Sequence, residues 1–142
     1  MIDQTSILTP FFIQLLLTGV VWLYMYIKRI PFLQSLDLDP DQITPAKLVE
    51  VSPPDVANPS DNLKNLFEMP VVFYAMVLYF YVTQQVDNVV VMLAWGFVAF
   101  RVLHSLVHAT VNKVMVRFGL YAVSSLCAWA MVAIGFARHL GG

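Results

Sequence analysis

Apolar residues in this chain come in four blocks separated by polar breaks. The first, 7–28, is uncharged through Ile27, and only Gln14 and two threonines interrupt it. The second, 61–86, carries Asn65 and Glu68 near its start and then runs uncharged over 69–86. The third, 88–112, opens with the uncharged run VVVMLAWGFVAF and then changes character to RVLHSLVHATVN. The fourth, 114–138, carries Arg117 early. About 20 apolar residues are needed to cross a bilayer as a helix. Open strand edges find no partner in lipid. The pattern therefore predicts an all-α integral membrane four-helix bundle, one domain over 1–142. The breaks at 84–88 and 112–113 are tight, which makes neighbouring helices antiparallel. The first block is a span rather than a signal peptide. Asp3 stands where a basic n-region belongs, the apolar run is long, and no small-residue cleavage site follows.

The stretch 30–59 is a different material. It holds six of the eight prolines and the acidic residues Asp37, Asp39, Asp41, Glu50 and Asp55. It cannot bury enough surface to form a core alone. It is expected to be a long polar loop with one short helix near Pro45, and loops of this length often act as lids. Asn58-Pro59-Ser60-Asp61 has the composition of a helix start, with Ser60 or Asp61 as the cap.

Composition agrees with the pattern. Hydrophobic residues make up 59% and charged residues 12%, against about 25% charged in soluble domains. A net charge of −1 and the lack of a basic patch exclude a nucleic-acid partner. Cys127 is the only cysteine, which excludes an internal disulfide and a multi-cysteine metal site; no metal is expected. Lys28, Arg29, Lys47 and Lys64 flank the first connection, and Lys113 and Arg117 the third. The second connection and the N-terminal tail have no basic residue, and Arg138 alone opposes the trend. The positive-inside rule then puts both termini outside and the first and third connections in the cytoplasm.

The candidate chemistry lies in the third block. Arg101, His104 and His108 follow at spacings of three and four, which places them within about 60° on one helix face. A charge this far inside an apolar helix costs about 2.5–3.5 kcal/mol even on lenient insertion scales. Something must offset that. Glu68 is expected roughly 10 Å, and Arg101 roughly 16 Å, from the cytoplasmic ends of their helices at 1.5 Å per residue. Asn65, His104, His108 and Arg117 fall in the same half, and the other half is expected to be apolar. Such a layer suits a polar pocket open to the cytoplasm. Plainer roles exist: Glu68 and Arg101 as a structural ion pair, the histidines as interhelical glue, Arg117 as a flanking charge. Haem fits poorly, because both histidines share one face and His139 lies at the opposite surface.

At these residues the chain resembles a family. NLKNLFEMPVVF is similar to the Asn-x-x-Glu…Pro signature of the MAPEG superfamily, membrane-associated proteins in eicosanoid and glutathione metabolism. RVLHSLVH, followed by Arg117-Phe118-Gly119-Leu120-Tyr121, resembles the family's third- and fourth-helix stretches. The spacing looks like that of the prostaglandin E synthase and microsomal glutathione transferase branch. The resemblance implies a homotrimer in the membrane, of bacterial inner-membrane type, with glutathione as thiol co-substrate held between subunits. It implies that Lys64, Asn65, Glu68, Arg101, His104, His108 and Tyr121 bind glutathione. Arg117 would stabilise its thiolate, which then attacks a lipophilic electrophile or hydroperoxide. There are departures. His108 stands where the family usually has tyrosine, Asp61 where many members have arginine, and Phe118 where the prostaglandin branch has a serine. Prostaglandin isomerisation is therefore not expected. Two alternatives remain: a non-catalytic lipid-binding scaffold, and a small transporter. The transporter is disfavoured because broken helices and inverted repeats are not evident in the sequence.

Overall fold

The computed structural model describes residues 2–141 and, among them, contains helices only. A 3₁₀ turn at Gln4–Ile7 leads into α1 (Leu8–Ser35). After a second turn at Pro40–Gln42 come α2 (Pro45–Val51), α3 (Pro54–Leu66), α4 (Met69–Val82), α5 (Asn88–Ala109) and α6 (Val114–Gly141). Four stretches are long and apolar enough to cross a membrane: Gln4–Ser35, Pro54–Val82, Asn88–Ala109 and Val114–Gly141. The protein is an integral membrane four-helix bundle in which α3 and α4 together make the second span.

Helix pairing sets the core. α5 and α6 form the most extensive contact, α1 packs on α3 and α5, and α4 packs on α6. Phe73, Val77 and Phe80 of α4 meet Val90, Ala94 and Phe97 of α5 and Ala128 and Met131 of α6, all fully buried. The Phe73 and Phe97 rings stack with centroids 4.3 Å apart. Leu16, Ile27, Met92 and Leu126 face outward. Between helices in lipid, packing and small residues supply the attraction rather than the hydrophobic effect. Gly135 is one such contact. A Cβ there would sit 2.7 Å from Met76 Cε and 3.2 Å from Tyr79 Cε1, so α6 packs closely against the side chains of α4 at this point.

The region expected as a polar loop over 30–59 is helical at both ends. α1 continues through Pro31 to Ser35. α3 starts at Pro54, with proline in its first turn, where the lost N–H has no intrahelical partner to miss. Ser60 and Asp61 therefore lie inside a helix rather than capping one. Val56, Pro59, Ser60 and Leu66 form the buried side of α3, and packing on α1 overrides the local turn signal. Thr44 caps α2, its Oγ1 accepting from the Lys47 N–H at 3.2 Å.

The second span is not continuous. It breaks at Phe67 and Glu68 because Pro70 has no N–H for the Leu66 carbonyl and its ring clashes there. The expectation of unbroken helices is corrected. Glu68 now sits near the middle of a 29-residue span, deeper than expected. α4 stops at Val82 and α5 at Ala109, short of the expected 86 and 112, and each following turn contains a left-handed residue, Gln84 (φ 57°) and Asn112 (φ 44°).

The end of the bundle away from the histidines is tied by polar contacts. The Gln4 amide accepts from the Val86 N–H at 2.9 Å and donates to its carbonyl at 3.2 Å. Arg138 donates to the Gln85 carbonyl at 2.8 Å and to the Asp87 carboxylate. Asp87 caps α5 by accepting from the Val90 N–H at 2.9 Å. That bond first, and Arg138 after it, holds its carboxyl below the usual 3.8. This half is not apolar throughout, as the pattern suggested. Gln14 is fully buried in α1, and its amide oxygen and nitrogen have no protein partner.

Candidate functional site

The break in the second span explains the buried arginine. In a continuous helix the Asn65 carbonyl would accept from the N–H of Met69. The interruption frees it, and Arg101 Nη2 donates to it from α5. Arg101 is fully buried, and its Nε and Nη1 have no protein partner. Its guanidinium lies over the Tyr121 ring, 5.3 Å from the centroid, a cation–π contact that partly offsets burial. The Tyr121 hydroxyl donates to Glu68 Oε2 at 3.4 Å. Glu68 is exposed, and no ion pair joins it to Arg101 among the described residues. The backbone turn at Glu68 (φ −96°, ψ −99°) swings the carboxylate to the surface, so the simple structural pair does not form.

The histidines continue the cluster. His104 Nδ1 lies 3.0 Å from the Arg117 carbonyl, which can only accept, so Nδ1 carries a proton and donates it there. Arg117 Nη1 lies 2.8 Å from His108 Nε2. A guanidinium can only donate, so His108 is neutral with its proton on Nδ1. His104 Nε2 and His108 Nδ1 are buried without protein partners. Arg117 Nη1 also donates to Asn112 Oδ1 at 2.8 Å, and Asn112 Nδ2 donates to Asn58 Oδ1 at 2.9 Å. A polar chain thus runs from the break in the second span, across α5 and α6, to the turn between them.

This chain borders a cleft of about 240 Å³, lined by Asn65, His104, Val114, Arg117, Phe118 and Tyr121. Val114 and Phe118 form an exposed apolar rim. Two guanidiniums against one carboxylate leave the site net positive. It can hold a small anion and favour the ionised form of a weak acid placed beside Arg117. Of the residues picked out in the sequence, Asn65, His104, Arg117 and Tyr121 line the cleft. Glu68, Arg101 and His108 stand one contact behind. Lys64 does not join them: it pairs with Asp61 at 2.9 Å and borders clefts on the α1 side of α3.

Sequence reasoning missed Asn58 and Asn112, which position Arg117, and the buried pair in which Ser105 Oγ donates to Asn62 Oδ1 at 3.2 Å. Asn112 had one readable signal, since asparagine in a tight turn between helices tolerates the left-handed conformation. No curated protein and no solved structure matches the chain. The model of the MAPEG family matches residues 7–137, across all four spans and every residue of this cleft. The chain belongs to the MAPEG family, whose members are typically glutathione-dependent membrane enzymes.

Proposed function

We propose that this protein is a membrane transferase or peroxidase that activates glutathione as a thiolate at Arg117. The observation carrying the reading is the position of that guanidinium. It is held by His108 and Asn112 at the edge of a positive cleft with an apolar rim. A free thiol has a pKa of about 8.5, and lowering it by about two units corresponds to roughly 2.7 kcal/mol of differential stabilisation. A nearby cation in a partly desolvated site supplies energies of this order.

In this reading Tyr121 and Asn65 take polar groups of the tripeptide directly, while Glu68, through Tyr121, and the buried Arg101 guanidinium act on it from one contact behind. In conjugation the thiolate sulfur forms a bond to the electrophilic carbon. The displaced group leaves with the electron pair, or a proton completes an addition. In peroxide reduction the sulfur takes the distal oxygen, the alcohol leaves, and a second glutathione converts the sulfenic acid to disulfide and water. The apolar rim admits the reactant from the bilayer, so proximity and electrostatics act together. The open side of the cleft fits closure by a neighbouring copy in a homotrimer. The positive-inside pattern turns the cleft to the cytoplasm.

The break at Phe67–Glu68 resembles the interrupted helices of transporters. Its freed Asn65 carbonyl, however, is occupied by Arg101 rather than open to an ion. The test is the ultraviolet absorbance of thiolate when glutathione is added to the purified protein. An enzyme of this kind shows it at neutral pH, and Arg117→Ala abolishes it. No signal from the wild-type protein rejects the reading in favour of a lipid-binding scaffold.

A further inference from the structure

Three aromatic rings border the Arg117 cleft: His104 of α5, and Phe118 and Tyr121 of α6. Val114, Phe118 and Tyr121 stand at i, i+4 and i+7, so they share one face of α6. Two of the rings are fixed. Tyr121 has the Arg101 guanidinium 5.3 Å from its ring centroid and its hydroxyl on Glu68. His104 is buried, bonds to the Arg117 carbonyl at 3.0 Å, and has its centroid 6.0 Å from that of Tyr121. Phe118 differs from both. It is 65% exposed, and among the described residues it pairs with no other ring and has no cation over its face.

The free ring matters because of its neighbour. Phe118 follows Arg117 directly and borders the same cleft, so a thiolate beside Arg117 is held next to an open aromatic face. Any exposed aliphatic side chain would admit a lipophile. A ring adds selection, because its negative face attracts an offset, electron-poor ring beyond the gain from buried area. The Arg117 guanidinium favours the same class. When a thiolate adds to an electron-poor ring, negative charge spreads into that ring and its withdrawing groups, and a cation already in place stabilises the charge as it develops. Displacement at a saturated carbon builds up no such charge, and an alkyl hydroperoxide presents no π face.

We propose, resting on the thiolate reading, that Phe118 selects the second reactant, and that the preferred class is a compact, planar, electron-poor aromatic carrying a halide leaving group. The reactant ring stacks on Phe118. The glutathione sulfur adds to the ring carbon that bears the halogen. The carbon–halogen bond then breaks, and halide leaves with the bonding pair. The thiol proton has already passed to solvent in forming the thiolate, so the products are a thioether, halide and one proton. Phe118 orients the ring and makes no bond.

The test compares kcat/KM for chlorodinitrobenzene with that for iodohexane, a lipophile the same thiolate attacks without a π face. The full-length protein is used, in detergent micelles with glutathione. Phe118→Leu keeps an apolar side chain and removes the ring. It is expected to lower the aromatic-to-aliphatic ratio about fivefold, the scale of one lost ring pair. Phe118→Tyr restores a ring and is expected to keep the ratio within about twofold of wild type. Phe118→Met carries the test if the leucine variant misfolds. An unchanged ratio in folded Phe118→Leu overturns the proposal. So does an equal loss for both reactants, which would make the ring only a shape-filling part of the rim, or an equal fall in Phe118→Tyr. Thiolate absorbance recorded on the same samples separates the two readings. Thiolate without an aromatic preference sinks only this one, whereas wild type without thiolate sinks the glutathione reading and this one with it.

Discussion

Asn112 does two jobs, and substitutions can separate them. Its backbone is left-handed (φ 44°), and its side chain joins Arg117 to Asn58 with bonds of 2.8 and 2.9 Å. Asn112→Gly keeps the backbone free to adopt that conformation and removes both bonds. A neutral hydrogen bond contributes about 1 kcal/mol and one to a charged group about 1.5–3 kcal/mol. Because the groups are half-buried, the low end applies, and the loss should be about 2 kcal/mol. Asn112→Ala loses the same bonds and adds a left-handed alanine, about 1–2 kcal/mol more. Unfolding by a harsh detergent in mixed micelles, followed by circular dichroism, orders the three proteins by stability. Wild type should come first, glycine second, alanine last. Arg117 would also lose one of its two side-chain anchors, so the glutathione thiolate should titrate at higher pH in both variants. If alanine equals glycine, backbone conformation at the turn is not constrained. If both equal wild type in stability and in thiolate titration, Asn112 does not anchor Arg117 and this account of the cleft fails.

Gln14 gives a prediction of opposite sign. Its buried amide has no protein partner, and such groups cost about 1–3 kcal/mol to bury. Gln14→Leu should therefore leave the protein as stable or more stable in the same unfolding assay; a clear loss would mean that the amide is satisfied after all. Asp87 sets a pH dependence. Its carboxyl is held below 3.8 by the Val90 N–H and then by Arg138, so its contribution is present above that value and lost as pH falls through the folded value. The stability gap between wild type and Asp87→Asn should be constant near neutrality and shrink below about pH 4. A gap that persists at lower pH would show that charge on Asp87 is not its source.

Much of the arrangement was legible in the chain. Four apolar blocks of spanning length leave helices as the only local solution, and tight breaks make neighbours antiparallel. Arg101, His104 and His108 share a face through spacing alone, and Arg117 follows at the start of the next helix. The interruption at Pro70 was harder, because a proline near a helix start and a proline that breaks a span look alike in one dimension. Packing on α1 decided between them by extending α3 back to Pro54. Lys64 was grouped with Asn65 by adjacency, yet consecutive helical residues point about 100° apart. They therefore line different clefts.

The amino-acid order by itself determined the solvent this protein folds in, the number of crossings and the shared face of Arg101, His104 and His108, because hydrophobic run length and helical period are local quantities. Tertiary structure alone decided which partner each polar group takes. Arg101 binds a backbone carbonyl instead of Glu68, and Lys64 pairs with Asp61 instead of joining the cleft. Such pairings depend on where a broken helix meets its neighbours, and no periodicity along a single chain records that.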